Sequence, residues 1–382
     1  YQTCFVAPTE ILAQQHFASL QELLSNNSVN LKILTGSTKV KDRKIINQEL
    51  ENGKLSILIG THAVFEENVI FKNLGLAIID EQHRFGVAQR AKLWSKNSIP
   101  PHILVMTATP IPRTLAMSLY GDLDISLIDE MPPGRKSVKT MHRYDNNRLT
   151  VFQFIKERIE EGEQIYVVYP LIEESEKLDF KDLMDGYESL SRSFPIPKYQ
   201  ISILHGKMKA HDKAYEMKRF ADGKTQIMVA TTVIEVGVNI PNASVMIIES
   251  AERFGLSQLH QLRGRVGRGN KQSFCILMSG SKISDDSKIR IQTMVKTNNG
   301  FEIAEADLKL RGPGNILGTQ QSGILRLKIA DIVKDNKLLK IARMLAIQIL
   351  NKDPKLEKSE NQIIKRNLTN LEFESNIWNL IS

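Results

Sequence analysis

Short apolar runs alternate with longer amphipathic stretches through most of the chain. Runs rich in aliphatic and β-branched residues predict strands at residues 3–8, 32–36, 56–61, 74–81, 102–109, 164–170, 200–206, 226–232, 243–250 and 273–279. The stretches between them have helical spacing, and residues 9–24 form one such helix, with Thr9 as the candidate N-cap. This alternation predicts an α/β fold, in which a parallel sheet is covered by helices on both faces.

The pattern breaks once and then restarts, which predicts two similar α/β domains in tandem. Two prolines and a glycine interrupt it within residues 129–140, a candidate hinge. We therefore expect domains at residues 1–133 and 134–282. From about residue 283 the strand pattern gives way to a mostly helical C-terminal region, 283–382. Within it, residues 323–350 could form a packed helix, a coiled coil or a membrane-surface helix, and the acids among its lysines argue against a membrane.

The composition of the chain limits which class of protein it can be and which kind of binding partner it favours. The chain has 382 residues, of which 42% are hydrophobic and 25% charged, which excludes a largely disordered protein. The net charge of +8 favours nucleic acid as the partner, with an anionic membrane second. No apolar run approaches the roughly 18 to 20 residues of a membrane span, so we expect a soluble protein. Cys4 and Cys275 fit small buried residues in a reducing cytoplasm.

An acidic pair, Asp80 and Glu81, ends the apolar run at residues 74–81. In open α/β sheets, ligands bind beyond the carboxyl ends of the strands, which is where this pair falls. A carboxylate there can hold Mg²⁺ through water, while its neighbour can orient or deprotonate an attacking water. The pair therefore suggests phosphoryl-transfer chemistry, although Asp-Glu taken alone would favour a solvated turn after a strand.

Two further segments support phosphoryl transfer. Thr107 and Thr109 follow the next predicted strand, where their hydroxyls can bond the acidic segment. Glycines separate three arginines, Arg263, Arg265 and Arg268, so that the backbone there can approach another surface closely. An arginine presented to a phosphate can act as an arginine finger worth about 10³ to 10⁵ in rate. A basic loop that merely contacts nucleic acid is the alternative interpretation.

Together these segments resemble the ordered motif series of superfamily 2 helicases. The motifs are APTEILAQQH (7–16), TGS (35–37), GTHAV (60–64), DEQH (80–83), TAT (107–109), VATTVIEVGVNIP (229–241) and QLRGRVGR (261–268). The histidine before RFGV and the GTQQSG loop within residues 306–323 are similar to the RecG branch-migration family. The transcription-repair coupling factor, which shares the translocation motif, is the alternative. The resemblance implies two tandem RecA-like domains and a motor driven by ATP and Mg²⁺.

The resemblance also implies roles for individual residues. Asp80 is implied as the Mg²⁺-associated acid, Glu81 as the catalytic base and His83 as the link between the nucleotide and DNA sites. Residues implied at the nucleotide are Thr107, Thr109, Gly237, Asn239, Gln261, Arg265 and Arg268, with Arg268 as the finger. Asn239 stands where many relatives carry aspartate. Residues implied at the DNA backbone are Thr35, Gly36, Thr61, Gly206, Lys207 and Thr231. Arg311, Gln320 and Gln321 match the translocation element.

The sequence contains no G-x-x-x-x-G-K-[ST] loop, with which such helicases bind phosphate. Residues 221–226 include Gly-Lys-Thr but precede a predicted strand, which predicts a turn. Because the chain begins with Tyr1 rather than methionine and its opening stretch YQTCFVAP has the pattern of a strand in progress, we expect a fragment, and the family carries the loop and an N-terminal wedge domain upstream. Two hypotheses follow. The first is part of a monomeric translocase that remodels branched DNA, with the loop and wedge in the parent chain or on a separate chain. The second is an ATPase-inactive DNA-binding remnant of a split gene. For the isolated chain, we expect little or no ATP hydrolysis.

Overall fold

The computed structural model describes residues 1–81, 85, 93, 96, 99–108, 126–170, 176–231, 240–311 and 335–374. Statements about the structure below refer to these residues.

The first sheet contains five parallel strands in the order β2-β3-β1-β4-β5. They are β1 (Gln2–Val6), β2 (Leu31–Leu34), β3 (Ile57–Gly60), β4 (Leu74–Ile79) and β5 (His102–Val105). Helix α1 (Glu10–Leu23) follows β1, helix α2 (Val40–Asn52) follows β2, and a 3-10 turn (His62–Phe65) follows β3. Helix α1 begins as predicted, because the Thr9 hydroxyl accepts a hydrogen bond from the Leu12 amide at 3.4 Å.

Side chains on alternate positions of β1 fill two separate cores. Cys4 and Val6 pack on one face of the sheet, and Phe5 packs on the other. This two-sided burial is why the strands read as continuous apolar runs. At the end of β3, a Cβ on Gly60 would overlap the carbonyl oxygen of Leu34, so glycine is required where β3 approaches β2.

The second sheet contains six parallel strands in the order β6-β11-β10-β7-β9-β8. They are β6 (Lys139–Tyr144), β7 (Gln164–Tyr169), β8 (Ile201–Leu204), β9 (Ile227–Thr231), β10 (Ala243–Ile248) and β11 (Phe274–Ser279). Its helices are α3 (Arg148–Glu160), α4 (Glu176–Ser193), α5 (Ala210–Ala221) and α6 (Leu256–Arg263). Every residue of β7, β9 and β10 is buried, as expected for inner strands of a sheet covered on both faces.

The predicted fold class is confirmed, and all ten predicted strands are present. The pattern missed β6, which lies at the edge of the second sheet and pairs only with β11 among the described strands. Its three central residues are half-buried, and Lys139, Arg143 and Tyr144 at its two ends are exposed. An edge strand of this kind carries too few apolar residues to stand out.

Among the described residues after the second sheet, the α-helices are α7 (Asp285–Lys296), α8 (Gly300–Arg311), α9 (Asn336–Lys352) and α10 (Gln362–Glu374). The predicted helical C-terminal region is thus confirmed over the residues described. Helix α9 exposes apolar side chains, including Leu338, Met344 and Leu345. Among the described helices, none has the length and apolar composition that crossing a membrane requires.

Both cysteines are buried and free, as predicted. Cys4 lies in β1 and Cys275 in β11, and burial raises the pKa of each thiol to about 12. Neither thiol is therefore reactive near neutral pH.

The outer strand of the first sheet is β5, which pairs with β4 on one side only among the described strands. Its exposure alternates along the strand, and His102 and Leu104 are exposed. An inner strand of this fold would be buried at both positions.

Candidate active site

The carboxyl ends of the first sheet gather several predicted site residues. Because all five strands run in the same direction, Thr35, Thr61, Asp80 and Thr107 follow their strands at one edge. Two strands, β3 and β1, lie between the ends of β2 and β4, which places Thr35 about 14 Å from Asp80 at the usual strand spacing. The residues predicted to contact DNA thus lie towards β2, and those predicted to contact nucleotide lie towards β5.

Two protein donors hold the carboxylate of Asp80. The backbone amide of Asp80 donates to the carbonyl of Val6 at 2.9 Å, which continues the pairing of β4 with β1. Oδ1 accepts the Glu81 amide at 2.9 Å, and Oδ2 accepts Nε2 of His16 at 2.9 Å. The carboxylate is therefore oriented from both sides while its side chain remains 18% exposed.

Glu81 has a left-handed backbone conformation, with φ of 50°. Such a conformation costs a non-glycine residue on the order of 1 kcal/mol or more, and functional sites are where it recurs. Its Oε2 accepts the amide of Ala108 at 3.4 Å, a long hydrogen bond that joins the acidic segment to the residues after β5. Thr107, half-buried, is adjacent to this contact.

The donor set at Asp80 fits a hydrated Mg²⁺. Among the described residues, one donor reaches each oxygen of Asp80, which leaves each oxygen a lone pair that could face a metal-bound water. Mg²⁺ keeps several waters and needs only one or two carboxylates besides substrate phosphates. Within the described ranges, no cluster of three or more histidine, cysteine or acidic side chains forms a preformed metal cage.

The loop after β2 contains a compact hydroxyl cluster centred on Glu10. Its Oε1 accepts the hydroxyl of Thr35 at 3.1 Å and also the hydroxyl of Ser37. Thr38 Oγ1 accepts the Thr35 amide at 2.8 Å, so the loop is held internally. Gly36 between them is exposed, and a Cβ there would meet no atom within 4 Å. The backbone at Gly36 is therefore open to a ligand.

Two of the predicted DNA contacts have buried hydroxyls. Thr61 is 3% exposed and Thr231 is 2% exposed, and neither hydroxyl has a hydrogen-bond partner among the described residues. Thr61 follows the inner strand β3, and Thr231 is the last residue of the inner strand β9. In this conformation, their side chains lie beneath the surface, and only a local rearrangement would bring them to a phosphate.

At the carboxyl edge of the second sheet, Gly206 and Lys207 follow β8 and are exposed. Thr231 ends the adjacent strand β9, so these three residues lie side by side. Farther along this edge, Glu249 follows β10 and is 6% exposed. Arg148 binds it with two hydrogen bonds of 2.7 and 2.9 Å, a bidentate pair that neutralises the buried carboxylate.

The arginine segment lies at the opposite, amino edge of the second sheet. Arg135, just before β6, donates to the carbonyl of Gly267 at 2.8 Å, and Lys271 donates to that of Glu161, just before β7, at 3.2 Å. A Cβ on Gly269 would lie 2.8 Å from the carbonyl oxygen of Pro241, and Gly267 has a φ of 78°. Close packing and backbone conformation therefore require these two glycines, as predicted for the segment.

The arginines predicted to contact phosphate differ in exposure. Arg268 is exposed, and Arg265 and Gln261 are half-buried. Burial raises the pKa of Tyr166 in β7, and the positive charges of Arg268 and Arg265 act in the opposite direction. The two guanidinium groups therefore lie near this tyrosine.

Arg263 is a structural residue. It is 3% exposed and donates to the carbonyls of Met294 and Thr297 at the end of α7, each at 2.9 Å. It also lies 3.0 Å from Nδ1 of His260, whose pKa burial lowers to about 4. Arg263 thus differs from Arg265 and Arg268, the two arginines that the resemblance implies at phosphate, because its guanidinium binds the end of a helix inside the domain.

Several predicted site residues lie outside the described part of the chain: His83, Thr109, Gly237, Asn239, Gln320 and Gln321. Arg311 is the last residue of α8, and its side chain is likewise outside the description. The Gly-Lys-Thr segment is a turn, as predicted: Gly223 has a φ of 72° after the end of α5, and β9 begins at Ile227.

The sequence analysis missed two residues that contact the site, Glu10 and His16. Both lie in the quoted segment 7–16, but helical spacing alone gives them no special role. Only the sheet order shows that α1 contacts the loop after β2 with Glu10 and the end of β4 with His16.

Three family models match the chain. They describe the DEAD/DEAH box helicases over residues 1–118, the helicase conserved C-terminal domain over residues 148–270, and the C-terminal part of domain 3 of the ATP-dependent DNA helicase RecG over residues 297–382. Together they cover the first sheet, strands β7 to β10 of the second sheet and the helices from α8 onwards.

Curated proteins and solved structures give the same result. The chain is 48% identical over 365 residues to ATP-dependent DNA helicase RecG of Synechocystis sp., covering 96% of this chain and 44% of that protein. It is 47% identical over 368 residues to the Bacillus subtilis RecG, covering 96% and 54%. A structure of RecG bound to a three-way DNA junction matches with a TM-score of 0.71 and 43% identity, covering 89% of this chain and 44% of that one.

The chain spans about half the length of the curated relatives it matches. The match extends over both RecA-like sheets and the helices that follow them, and the resemblance inferred from the motifs is confirmed. The chain belongs to the RecG family of superfamily 2 DNA helicases.

Proposed function

We propose that this chain is the motor portion of an ATP-dependent translocase on double-stranded DNA. The parent protein would remodel branched DNA, such as Holliday junctions and stalled replication forks, in recombination and repair. The observation that carries the proposal is the geometry after β4, where His16 and the Glu81 amide orient Asp80 and Glu81 contacts Ala108. A relative of 43% identity was solved on a three-way DNA junction, which supports this substrate class.

In the proposed reaction, Asp80 associates with Mg²⁺ through water and Glu81 accepts a proton from the attacking water. Mg²⁺, when bound, neutralises charge on the phosphate oxygens. His83 links this site to DNA, and Thr107 and Thr109 report the nucleotide state to the acidic segment. Gln261, Gly237 and Asn239 would contact the nucleotide from the second domain. Arg265 and Arg268 would stabilise the charge that develops on the γ-phosphate, with Arg268 as the finger.

DNA binding is proposed to follow the backbone without sequence preference. The contacts are assigned to Thr35, Gly36, Thr61, Gly206, Lys207 and Thr231. Exposed Gly36, Gly206 and Lys207 fit this role as they stand, whereas the buried hydroxyls of Thr61 and Thr231 require rearrangement. Because positive charge supplies the affinity, binding should weaken steeply with salt.

The proposed organisation assigns residues 1–133 and 134–282 to two motor domains and residues 283–382 to a translocation element. Closure of the two domains around ATP would move the backbone contacts, and Arg311, Gln320 and Gln321 would transmit that movement to the duplex. We further propose a monomeric, cytoplasmic motor, with phosphate loop and wedge supplied by sequence outside these residues or by a separate chain.

The test is DNA-stimulated ATP hydrolysis on a synthetic three-way junction. The chain is assayed alone and then mixed with a separately expressed segment carrying the family's phosphate loop and wedge. We expect hydrolysis only in the mixture, and Glu81→Gln should abolish it while the exposed Glu67→Gln should not. Hydrolysis by the chain alone would contradict the need for the loop. An inactive mixture that still binds DNA would instead indicate a DNA-binding remnant.

A further inference from the structure

The contact between His16 and Asp80 joins a helix to the predicted metal-associated acid. Nε2 of His16 lies 2.9 Å from Oδ2 of Asp80. An ionised carboxylate can only accept a hydrogen bond, so Nε2 carries the proton and donates it. None of the motif roles inferred from the sequence assigns a function to His16.

The imidazole of His16 is fixed on its other side by β1. Its ring lies against the ring of Phe5, with 4.4 Å between the centroids and 39° between the planes. Phe5 is itself 9% exposed, within the core beneath α1. The ring therefore has little freedom to turn away from Asp80.

Helix α1 is anchored at a second point, six residues earlier. Glu10 accepts the hydroxyls of Thr35 and Ser37 beyond the end of β2, and His16 donates beyond the end of β4. At 1.5 Å per residue, the two contacts are about 9 Å apart along the helix axis. Movement of α1 along the sheet would therefore break both the Glu10 contacts and the His16 contact. The two contacts together fix the position of His16 relative to Asp80.

We infer that His16 is a positioning residue, which holds the Asp80 carboxylate in the orientation that presents its remaining lone pairs to hydrated Mg²⁺. This inference rests on the proposed function, because it takes Asp80 as the metal-associated acid. Outer partners that orient a metal-binding carboxylate typically contribute about 10-fold to 100-fold to metal affinity or activity.

A purely structural role fits the geometry less well. The side chains of His16 and Asp80 are 27% and 18% exposed, so solvent screens their attraction. A single pair that water can still reach contributes little to the stability of the fold. Removing the imidazole donor should therefore alter the metal response far more than the stability of the fold.

Three variants separate the two roles. His16→Leu keeps apolar bulk against Phe5 but removes the donor, whereas His16→Gln keeps an N–H donor at similar reach. Ser19→Ala is the control, because Ser19 is exposed on the same helix. All three should unfold at nearly the same temperature as the unchanged chain.

The first measurement tests the contact on the chain itself, by NMR of the histidine ring nitrogens near neutral pH. The His16 signals are identified by their absence in His16→Gln. We expect them to shift in Asp80→Asn and to stay unchanged in Asp42→Asn, which alters an exposed acid on α2. Unshifted signals in Asp80→Asn would overturn the inference.

The second measurement is the Mg²⁺ dependence of ATP hydrolysis in the mixture described above. We expect His16→Leu to raise the Mg²⁺ concentration at half-maximal rate about 10-fold, with the DNA concentration dependence unchanged and with recovery in His16→Gln. A Mg²⁺ dependence unaltered in His16→Leu would overturn the role. If the mixture with native His16 is inactive, the proposed function fails, and the NMR measurement still decides whether His16 positions Asp80.

Discussion

Arg263 and Arg268 lie five residues apart in one arginine-rich segment, yet the structure predicts opposite consequences for their replacement by methionine. Arg263 is buried and bonded to the carbonyls of Met294 and Thr297. Arg268 is exposed, and its Nε lies 3.4 Å from the carbonyl of Gly264. Arg263→Met should therefore affect folding, and Arg268→Met should affect phosphate chemistry.

The cost of Arg263→Met follows from the bonds it removes. Hydrogen bonds to a charged group contribute about 1.5 to 3 kcal/mol each, and two well-formed ones reach buried carbonyls here. Methionine recovers part of the packing but leaves both carbonyls without that partner. We expect a loss of about 3 to 5 kcal/mol, a large share of the stability of a typical domain.

Urea unfolding of the chain, followed by circular dichroism, provides the measurement. With a slope of about 2 kcal/mol per molar urea, the midpoint of the affected domain should fall by roughly 2 M. Arg268→Met should leave the midpoint nearly unchanged and should instead lower ATP hydrolysis in the reconstituted mixture by about 10³-fold. An unaltered midpoint in Arg263→Met would refute the assignment of this arginine to the core.

Three further predictions concern single positions. Burial holds the pKa of His260 at about 4 against an ordinary value of 6.5, so the unfolded chain takes up the proton first as pH falls. The stability that neutral His260 provides is therefore complete above pH 6.5 and lost by pH 4, with about 2 kcal/mol of the loss between about pH 7 and pH 5. As the pH is lowered over this range, the urea midpoint of unfolding should fall less in His260→Gln than in the unchanged chain. Gly36→Ala should change the free energy of unfolding by no more than about 0.5 kcal/mol but weaken duplex binding measured by fluorescence anisotropy. Gly280→Ala is the control and should leave duplex binding unchanged, and equal affinities of the two variants would argue against a DNA backbone contact at Gly36. Gly60→Ala should destabilise the first domain by about 1 to 3 kcal/mol, because the new methyl group would overlap the Leu34 carbonyl. An unchanged melting temperature would show that β2 and β3 can move apart at this position.

Much of the fold follows from the sequence because inner strands of parallel sheets are continuous apolar runs. The runs at 164–170 and 243–250 correspond to β7 and β10, whose residues are all buried. The pattern did not predict the edge strand β6, since none of its residues is fully buried and both of its ends are exposed. The spacing of apolar residues reflects which side chains are buried, so it does not mark a strand whose side chains are only partly buried.

The candidate site was only partly predictable, for a different reason. Asp80 and Glu81 could be placed at a strand end because a local apolar run precedes them. The partnership of His16 with Asp80 spans 64 residues and depends on α1 lying over β1 beside β4. Local sequence likewise made Arg263 and Arg268 equivalent, and only the packing of α7 against the end of α6 separates them.

The outer strand β5 has a practical consequence for any preparation of this chain. Among the described strands, none pairs with its edge away from β4, and Leu104 of this strand is exposed. Such an edge can template strand pairing between molecules, and it carries no proline or lysine that would discourage it. Concentrated samples should therefore tend to self-associate through β5. Producing both segments in the same cell, before this edge can pair with another copy, is the better route to a reconstituted motor.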